Sequence, residues 1–427
     1  MTAEKGSQIY KLIERLFPIT RSLTGKGVRD TLKIIQEVVP DMITHSIPSG
    51  ELVFDWSVPD EWNIHDAYIK DSKGNKIVDF KKSNLHVIGY SLPVKKKISL
   101  EELKEHISTL PQYPDWIPYE KNYYNPHWGF CMTHNSFLKL KKGDYTVFID
   151  SMLEKGVLNY GEYFKKGKSE DEFLISCYIC HPSMANDSLS GVGLTAWLAS
   201  EIALRDTYYS YRFLFIPETI GSIVWLARNK NQAQRIKFGL IATCLGDPGD
   251  FTYKKSRIGS SSIDKTCEYV LRCSGQSYTI EDYYPLGSDE RQFCSPGFNL
   301  PVGSLMRSRY SKFDQYHTSA DDLGFIKDSA LEEMYQIYLR VIEIVENNFF
   351  YRNLNPFCEP NLGKRGLFRN SRVLADFPKI QEAYFWVLNF SDGSNDLLEI
   401  AEKSGLPFHV IVQAVTDLCN DKLLEKE

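Results

Sequence analysis

The chain has 427 residues, of which 43% are hydrophobic and 25% charged, and its formal net charge is −5. This is ordinary globular composition with room for two or three domains, and the acidic balance argues against nucleic acid or an anionic membrane as a partner. No run of 18 apolar residues appears, so we expect no transmembrane helix. The charged, amphipathic N-terminus and the scattered cysteines in apolar contexts predict a cytoplasmic protein with reduced thiols.

In chain order, residues 8–39 carry apolar residues at helical spacing in two stretches, separated by the polar turn TRSLTGKG. This spacing predicts two helices. Residues 41–130 instead resolve into short β segments broken by proline and glycine, with a hairpin-turn sequence, DSKGNK. We therefore expect residues 41–130 to form a small β-rich domain that is inserted into a larger one.

From residue 131, short apolar runs alternate with stretches of helical periodicity. The predicted strands are YTVFID, EFLISCYIC, YRFLFIP and FGLIATCLG. Such alternation predicts an α/β fold with a mixed, mostly parallel sheet sandwiched by helices. A strong amphipathic pattern over residues 328–350 predicts a helix that closes this domain, which would comprise residues 1–40 and 131–350.

The C-terminal region, residues 351–427, reads as three short helices with helix-turn-helix order, the second ending at SGLP. From Asp376 onward it holds four lysines, no arginine and ten acidic residues. DNA-binding modules are basic, because they neutralise phosphates. We therefore expect no DNA binding here; a packing module or a homo-oligomer contact is the alternative.

The most informative stretch is CYICHPSMANDSLSG, from Cys177 to Gly191. Its Cys-x-x-Cys-His order also occurs at c-type haem attachment sites, which need export and an exposed loop. A thioredoxin-like motif places its cysteines at the start of a helix. Here Cys177 and Cys180 end an apolar strand, and a proline follows His181. We therefore interpret both cysteines as core residues.

His181 and Asp187 remain, and the next strand ends carry similar groups. Glu218 follows the strand YRFLFIP, Asp247 follows FGLIATCLG, and His317 comes in a later loop. Ligands of α/β sheets bind beyond the carboxyl ends of the strands. Imidazole and carboxylate groups suit a hydrolytic Zn²⁺, beside which a carboxylate can act as general base. The pattern predicts a metal site at this edge, with solvated polar loops as the alternative.

The ordered motifs resemble those of the zinc-dependent aminopeptidases of the co-catalytic two-zinc exopeptidase superfamily. NDSLSG is similar to the turn of the bridging aspartate, FIPETIGS to the Glu-Glu strand end, GSDERQF to the Ser-Asp-His loop and YHTSADDL to the closing Tyr-His-Thr motif, while LGDPGD supplies the later aspartate. The resemblance covers about residues 130–350. A bacterial subgroup of aminopeptidase-like proteins also has a β-rich insert and a C-terminal winged-helix-like domain.

The resemblance implies a role for each matched residue. Glu218 would be the general base, and Asp289 or Glu290 would hold a ligand histidine or the α-amine of the substrate. The implied metal ligands, with Asp187 as the bridge, are His181, Asp187, Asp247 and His317.

The sequence departs from the family pattern in three places. The usual His-x-Asp is His181-Pro182-Ser183, the second glutamate of the Glu-Glu pair is Thr219, and the histidine of Ser-Asp-His is Glu290. Because Thr219 removes a carboxylate ligand, we expect one tightly held zinc ion. A second metal position would be weak, empty or rebuilt with Glu290.

Arg307 and Tyr310 are candidates for clamping a substrate carboxylate or stabilising an oxyanion, with a surface network as the alternative. The sequence thus predicts a zinc-dependent, aminopeptidase-like hydrolase that acts on a small peptide or amine-bearing molecule. The alternative is a catalytically inactive, metal-stabilised binding or scaffold protein in polysaccharide or metabolite assembly.

Overall fold

The computed structural model describes residues 4–367 and 377–427. The chain divides into two compact units, residues 1–338 and 339–427. The helices, in chain order, are α1 (Glu4–Leu16), α2 (Lys26–Gln36), α3 (Leu100–Lys104), α4 (His134–Phe137), α5 (Gly191–Ala203), α6 (Ile220–Arg228), α7 (Lys230–Ala233), α8 (Ser262–Arg272), α9 (Glu290–Phe293), α10 (Asp328–Asn347), α11 (Phe377–Phe390), α12 (Leu397–Ser404) and α13 (Phe408–Asn420).

An eight-stranded sheet dominates the first unit, with the order β1-β10-β12-β11-β13-β16-β14-β15. Its strands are β1 (Ile43–Pro48), β10 (Val157–Lys165), β11 (Glu172–Tyr178), β12 (Ser210–Ile216), β13 (Ile236–Ile241), β14 (Phe251–Lys254), β15 (Tyr278–Glu281) and β16 (Val302–Met306). The four pairs β11–β12, β11–β13, β13–β16 and β14–β15 are parallel. The predicted mixed α/β class is confirmed.

The centre of this sheet is apolar on both faces. Every residue of β11 and β12 is buried, as expected for parallel strands that helices cover on both sides. Helix α5 packs closely on the sheet because it begins at Gly191, where an added Cβ would lie 2.0 Å from the carbonyl oxygen of Ala242. Glycine therefore lets the helix start directly behind the strand ends.

A second, four-stranded sheet with the order β5-β4-β9-β6 forms the core of the insert. The remaining strands of the first unit are β2 (Leu52–Val53), β3 (Trp56–Ser57), β4 (Glu61–Lys70), β5 (Lys76–Asp79), β6 (Val94–Ser99), β7 (Ile107–Ser108), β8 (Phe130–Cys131) and β9 (Asp144–Glu154). DSKGNK forms the β4–β5 turn, as predicted.

One strand lies in a different sheet from the one predicted. YTVFID was expected in the main sheet, but it forms β9, which pairs with β4 and β6 of the insert. Conversely, β1 pairs with β10 of the main sheet. Only Lys155 and Gly156 separate β9 from β10, so one continuous stretch of chain runs from the insert into the main sheet.

The second unit contains α11, α12 and α13 with a three-stranded sheet, β18-β17-β19. The strands are β17 (Phe350–Asn353), β18 (Asp392–Asp396) and β19 (Leu424–Lys426). The three C-terminal helices and the turn at SGLP agree with the prediction. Among the helices described for this chain, none is both long and apolar enough to cross a bilayer.

Candidate active site

The candidate site lies at the carboxyl ends of the three central strands. Strands β12, β11 and β13 are neighbours in the sheet. His181 therefore follows β11 beside Glu218, which follows β12. Asp187 lies in the turn Ala185–Ser190 that precedes α5, and His317 lies in the loop between β16 and α10. Adjacent parallel strands thus bring together groups that are up to 136 residues apart in sequence (His317 and His181).

His181, Asp187 and His317 form a compact cluster. Each offers one ligand atom within 4.8 Å of the others. The rings of His181 and His317 have centroids 5.4 Å apart, and Nε2 of His317 lies 3.1 Å from Oδ2 of Asp187. Ligands at about 2 Å from a tetrahedral metal lie roughly 3.3 Å from one another. The cluster therefore has the spacing of a metal site.

Two atoms of the cluster fit a cation for a second reason. Apart from their mutual contact, Oδ2 of Asp187 and Nε2 of His317 are buried with no hydrogen-bond partner in the described chain. Burial lowers the pKa of His181 well below its usual value, which favours the neutral imidazole that binds metals. Burial opposes the charge of Asp187, but both histidines and Tyr178 hold the pKa of Asp187 below its usual range.

A shell of buried hydrogen bonds fixes Asp187. Tyr178 donates to Oδ1 of Asp187, and the Tyr178 hydroxyl also lies 2.7 Å from Oγ1 of Thr243. Asp321 accepts from the backbone N–H groups of Asn186 and Asp187, at 2.6 and 2.9 Å. Burial raises the pKa of Asp321 to about 8. These contacts hold the turn that presents Asp187.

The loops around the cluster are conformationally unusual. Ser183, Thr219, Cys244 and His317 all have positive φ, between 43° and 65°. Non-glycine residues adopt such angles at a cost, and they do so mostly where the surroundings hold them at functional sites. Four positive φ angles are therefore found in the loops that surround the cluster.

Glu218 lies beside the cluster without belonging to it. Its Oε2 is 3.8 Å from Nε2 of His181, and its backbone N–H donates to the thiol sulfur of Cys180. Lys121, from the insert, lies 3.4 Å from the same Oε2. Burial opposes the charge of Lys121, but Tyr119 and Glu218 raise its pKa. Glu218 is thus a carboxylate that pairs with a lysine next to the candidate metal position.

Thr219 occupies the position after Glu218 and binds two other residues. Its N–H donates to Oδ1 of Asp289 at 2.7 Å, and its hydroxyl accepts from Nη2 of Arg291 at 2.8 Å. Burial, and then Glu218, raise the pKa of Asp289 to about 7. Asp289 therefore fixes the loop that carries Glu218 through a hydrogen bond to the next residue, Thr219.

Four of the residues predicted for the site have other partners. The carboxylate of Asp247 accepts from Asn186, Gly249 and Ser308, and Asp247 is outside the group of potential ligands. We therefore leave Asp247 out of the proposed metal site. Glu290 is fully buried against Lys254, 2.6 Å away, so it is not available to a second metal.

Arg307 and Tyr310 are likewise engaged inside the fold. Arg307 donates to the carbonyl of Gly249 and to Glu333. The Tyr310 hydroxyl shares the buried Lys254–Glu290 pair. Neither contact points to a substrate. Both side chains are buried, so the network that they join lies inside the fold and not at the surface, where the alternative expected it.

Sequence reasoning missed several residues that the structure places at the site. Lys121 and Tyr119 belong to the insert, and nothing in the sequence around them indicated that their loop lies against the strand ends of the main sheet. Asp321, in YHTSADDL, could have been identified from the closing motif. The two cysteines of the Cys-x-x-Cys-His stretch are buried and free, as predicted.

Comparison with known proteins identifies the family. A model of a domain of unknown function, DUF4910, matches residues 10–348, which is most of the chain. The chain belongs to the DUF4910 family. In this DUF4910 protein a winged helix-turn-helix model also matches residues 349–426, which agrees with the predicted C-terminal domain.

One curated relative of this DUF4910 protein comes from Clostridium acetobutylicum. It is named "Putative polysaccharide biosynthesis protein with aminopeptidase-like domain" and is 53% identical over 424 residues, which cover 99% of this chain and 97% of that protein. A crystal structure described as a "putative peptidase" from the same organism has 52% identity and a TM-score of 0.94, covering 100% of this chain and 97% of that one.

A zinc aminopeptidase from Bacillus subtilis shares the fold at much lower identity. Its structure has 11% identity and a TM-score of 0.59, and the match covers 80% of this chain and 95% of that one. At this identity the similarity concerns the fold alone. The DUF4910 protein therefore has an aminopeptidase-like fold, as the motif resemblance implied.

Proposed function

We propose that this chain is a zinc-dependent hydrolase with an aminopeptidase-like site that cleaves an amide bond in a small substrate. The observation that carries the proposal is the buried cluster of His181, Asp187 and His317, with Glu218 beside it. Two of its ligand atoms have no polar partner among the described residues except each other. The aminopeptidase-like fold supports it. Structural cores seldom leave such atoms without partners, because each costs about 1–3 kcal/mol.

In this proposal His181, Asp187 and His317 hold one zinc ion. Bound zinc would supply Lewis acidity toward a carbonyl oxygen and toward water. Glu218 accepts a proton from the attacking water and passes it to the leaving nitrogen. Lys121 pairs with the carboxylate of Glu218, and Asp289 fixes the loop through Thr219. A second zinc is not part of the proposal, because Thr219 replaces a ligand and Glu290 is committed to Lys254.

The test is the variant Glu218→Gln. We expect it to retain zinc and fold but to lose hydrolysis by about 10²–10⁴-fold, because the amide cannot take up a proton at neutral pH. Elemental analysis of untagged protein should find one zinc per chain, and His181→Ala should lose it. Glu201→Gln, which changes a surface carboxylate on α5 paired with Arg205, is the matched control. Turnover that survives Glu218→Gln would remove Glu218 as the base.

A second candidate is a catalytically inactive, metal-stabilised scaffold for polysaccharide or metabolite assembly. The name of the Clostridium relative favours this link to polysaccharide biosynthesis, and so does the loss of a carboxylate at Thr219. A panel of chromogenic amides with zinc, cobalt and manganese separates the two candidates. Zinc binding without release of product from any amide would favour the scaffold. The cytoplasmic location and a homo-oligomer stay predictions.

A further inference from the structure

The insert places a cation at the candidate base. Lys121 lies in the chain between β7 and β8 of the insert, and its Nζ is 3.4 Å from Oε2 of Glu218. The aromatic rings of Tyr119 and Tyr123 lie under the same ammonium, at 5.8 and 5.6 Å. An ammonium group has three N–H donors, and one of them faces Glu218. The other two donors of Lys121 have no hydrogen-bond acceptor among the described residues.

A second cation, outside the insert, contacts the same loop. Arg291, in α9, donates from Nη2 to the hydroxyl of Thr219. Its Nε is buried without a hydrogen-bond partner, and within the described residues Arg291 forms no ion pair. Lys121 and Arg291 thus contact two consecutive residues, Glu218 and Thr219. Each cation keeps N–H donors without an acceptor among the described residues.

Three of the nearby carboxylates are occupied by other contacts. Asp321 uses both oxygens on backbone N–H groups, and Asp247 is saturated by its own hydrogen bonds. Asp289 is buried behind Thr219, which donates to its Oδ1, and its Oδ2 has no hydrogen-bond partner among the described residues. Glu290 is paired with Lys254. Lys121 and Arg291 are therefore the two cations beside the loop of the candidate base, which also has the carboxylates of Asp187 and Asp289 near it.

We propose that the substrate carries a carboxylate close to the scissile amide, held by Lys121 and Arg291, instead of a free α-ammonium. The inference rests on the proposed hydrolase function and specifies its substrate class: an acylated amino acid or a similar acidic amide. An α-ammonium at this position would meet two like charges. A carboxylate would satisfy the free donors of Lys121 and the orphaned Nε of Arg291.

The experiment compares three matched compounds on the zinc-loaded wild-type protein. They are N-acetyl-L-alanine, its neutral analogue N-acetyl-L-alaninamide, and L-alaninamide, which has a free α-ammonium. Binding is measured by calorimetry, and hydrolysis is followed in parallel by release of product. We expect N-acetyl-L-alanine to bind at least about tenfold more tightly than the other two, because charge-assisted hydrogen bonds are stronger than neutral ones.

Variants show whether the two cations cause the selectivity. Lys121→Met should lose at least about tenfold in affinity for N-acetyl-L-alanine and little for the neutral amide, and Lys121→Arg should restore part of the loss. Arg291→Gln should weaken the same compound. Lys155→Met is the control, because Lys155 is an exposed lysine of the first unit that pairs with Asp60.

The outcomes separate this inference from the proposed function. Carboxylate-selective binding that depends on Lys121, with no hydrolysis of any compound, supports the inference and removes the hydrolase. Preferred binding or cleavage of L-alaninamide, lost in Asp289→Asn, overturns the inference and leaves the hydrolase intact. Equal binding of all three compounds, or binding of none, also overturns the inference.

Discussion

At the scale of single residues, the candidate ligand Asp187 is held by two hydroxyl groups and by contacts to the backbone of its turn. Tyr178 and Thr243 contact Oδ1 of Asp187, and Thr219 replaces the second glutamate of the pair. Asp321 acts through the backbone of the turn and touches no candidate ligand atom. Such supporting groups set the orientation of a ligand, and their loss typically lowers metal affinity.

We expect Asp321→Asn to lower zinc affinity by about 10–100-fold, because the amide nitrogen cannot accept one of the two N–H groups that position Asp187. Competition with a chromophoric chelator measures the affinity. Asp322→Asn is the matched control, since Asp322 is exposed and its side chain accepts from the backbone N–H groups of Gly324 and Phe325. Equal affinity in the two variants would show that Asp321 does not position the ligand.

Much of this cluster could be predicted from sequence, and the reason is geometric. His181 and Glu218 directly follow buried parallel strands, whose carboxyl ends meet at one edge of the sheet. Asp247 could not be judged in the same way, because it lies six residues beyond β13 and the loop turns it toward Ser308. Lys121 was unpredictable because its position depends on the path of a long loop with no periodic pattern.

At the scale of elements, an ion pair joins the N-terminal helices to the insert. Arg29 of α2 makes a two-pronged contact with Glu61, the first residue of β4, with N–O distances of 3.0 and 2.7 Å. Glu61 also accepts from the backbone of Val157, at the start of β10. One carboxylate thus connects a helix, the insert sheet and the main sheet.

This contact makes a testable contribution to stability against acid. Hydrogen bonds from Arg29 lower the pKa of Glu61 to about 2. Because the folded state then binds fewer protons than the unfolded chain, the stabilisation is present above about pH 4.5 and is lost as pH falls toward 2. We expect Glu61→Gln to reduce the free energy of unfolding at pH 7 by on the order of 2 kcal/mol and to flatten its dependence below pH 4.5.

Urea unfolding at a series of pH values measures both effects. The control is Glu37→Gln, which removes an exposed pair with Arg15 and should change stability by less than about 1 kcal/mol. If the free energy of unfolding depends on pH in the same way in Glu61→Gln as in the wild type, the loss of stability below pH 4.5 does not come from Glu61.

At the scale of the whole molecule, the sequence predicts where strands and helices occur better than it predicts which sheet each strand joins. β11, β12 and β13 were identified because they are continuous apolar runs, which is typical of buried parallel strands. YTVFID has the alternation of a strand, but alternation does not say which of two sheets the strand joins. β9 joins the sheet of the insert, whereas β1 joins the main sheet. This assignment is visible only from the strand pairing in the structure.

Zinc binding should be visible in the stability of the whole chain. At a free zinc concentration one hundred times the dissociation constant, linkage adds about 2.7 kcal/mol to the folded state. Tryptophan fluorescence reports mainly on the first unit, since six of the seven tryptophans precede residue 339. We expect zinc to raise the melting temperature and His317→Ala to abolish the rise, whereas His409→Ala, an exposed histidine on α13, should not.

Strand β9 of the insert and strand β10 of the main sheet are joined by only two residues, Lys155 and Gly156. Gly156 itself has no room for a side chain, because an added Cβ would lie 2.5 Å from atoms of Glu61. A side chain at position 156 would have to displace Glu61, and with it the contact between Glu61 and Arg29 that joins α2 to the insert. One glycine therefore protects both the crossing between the two sheets and the ion pair beside it.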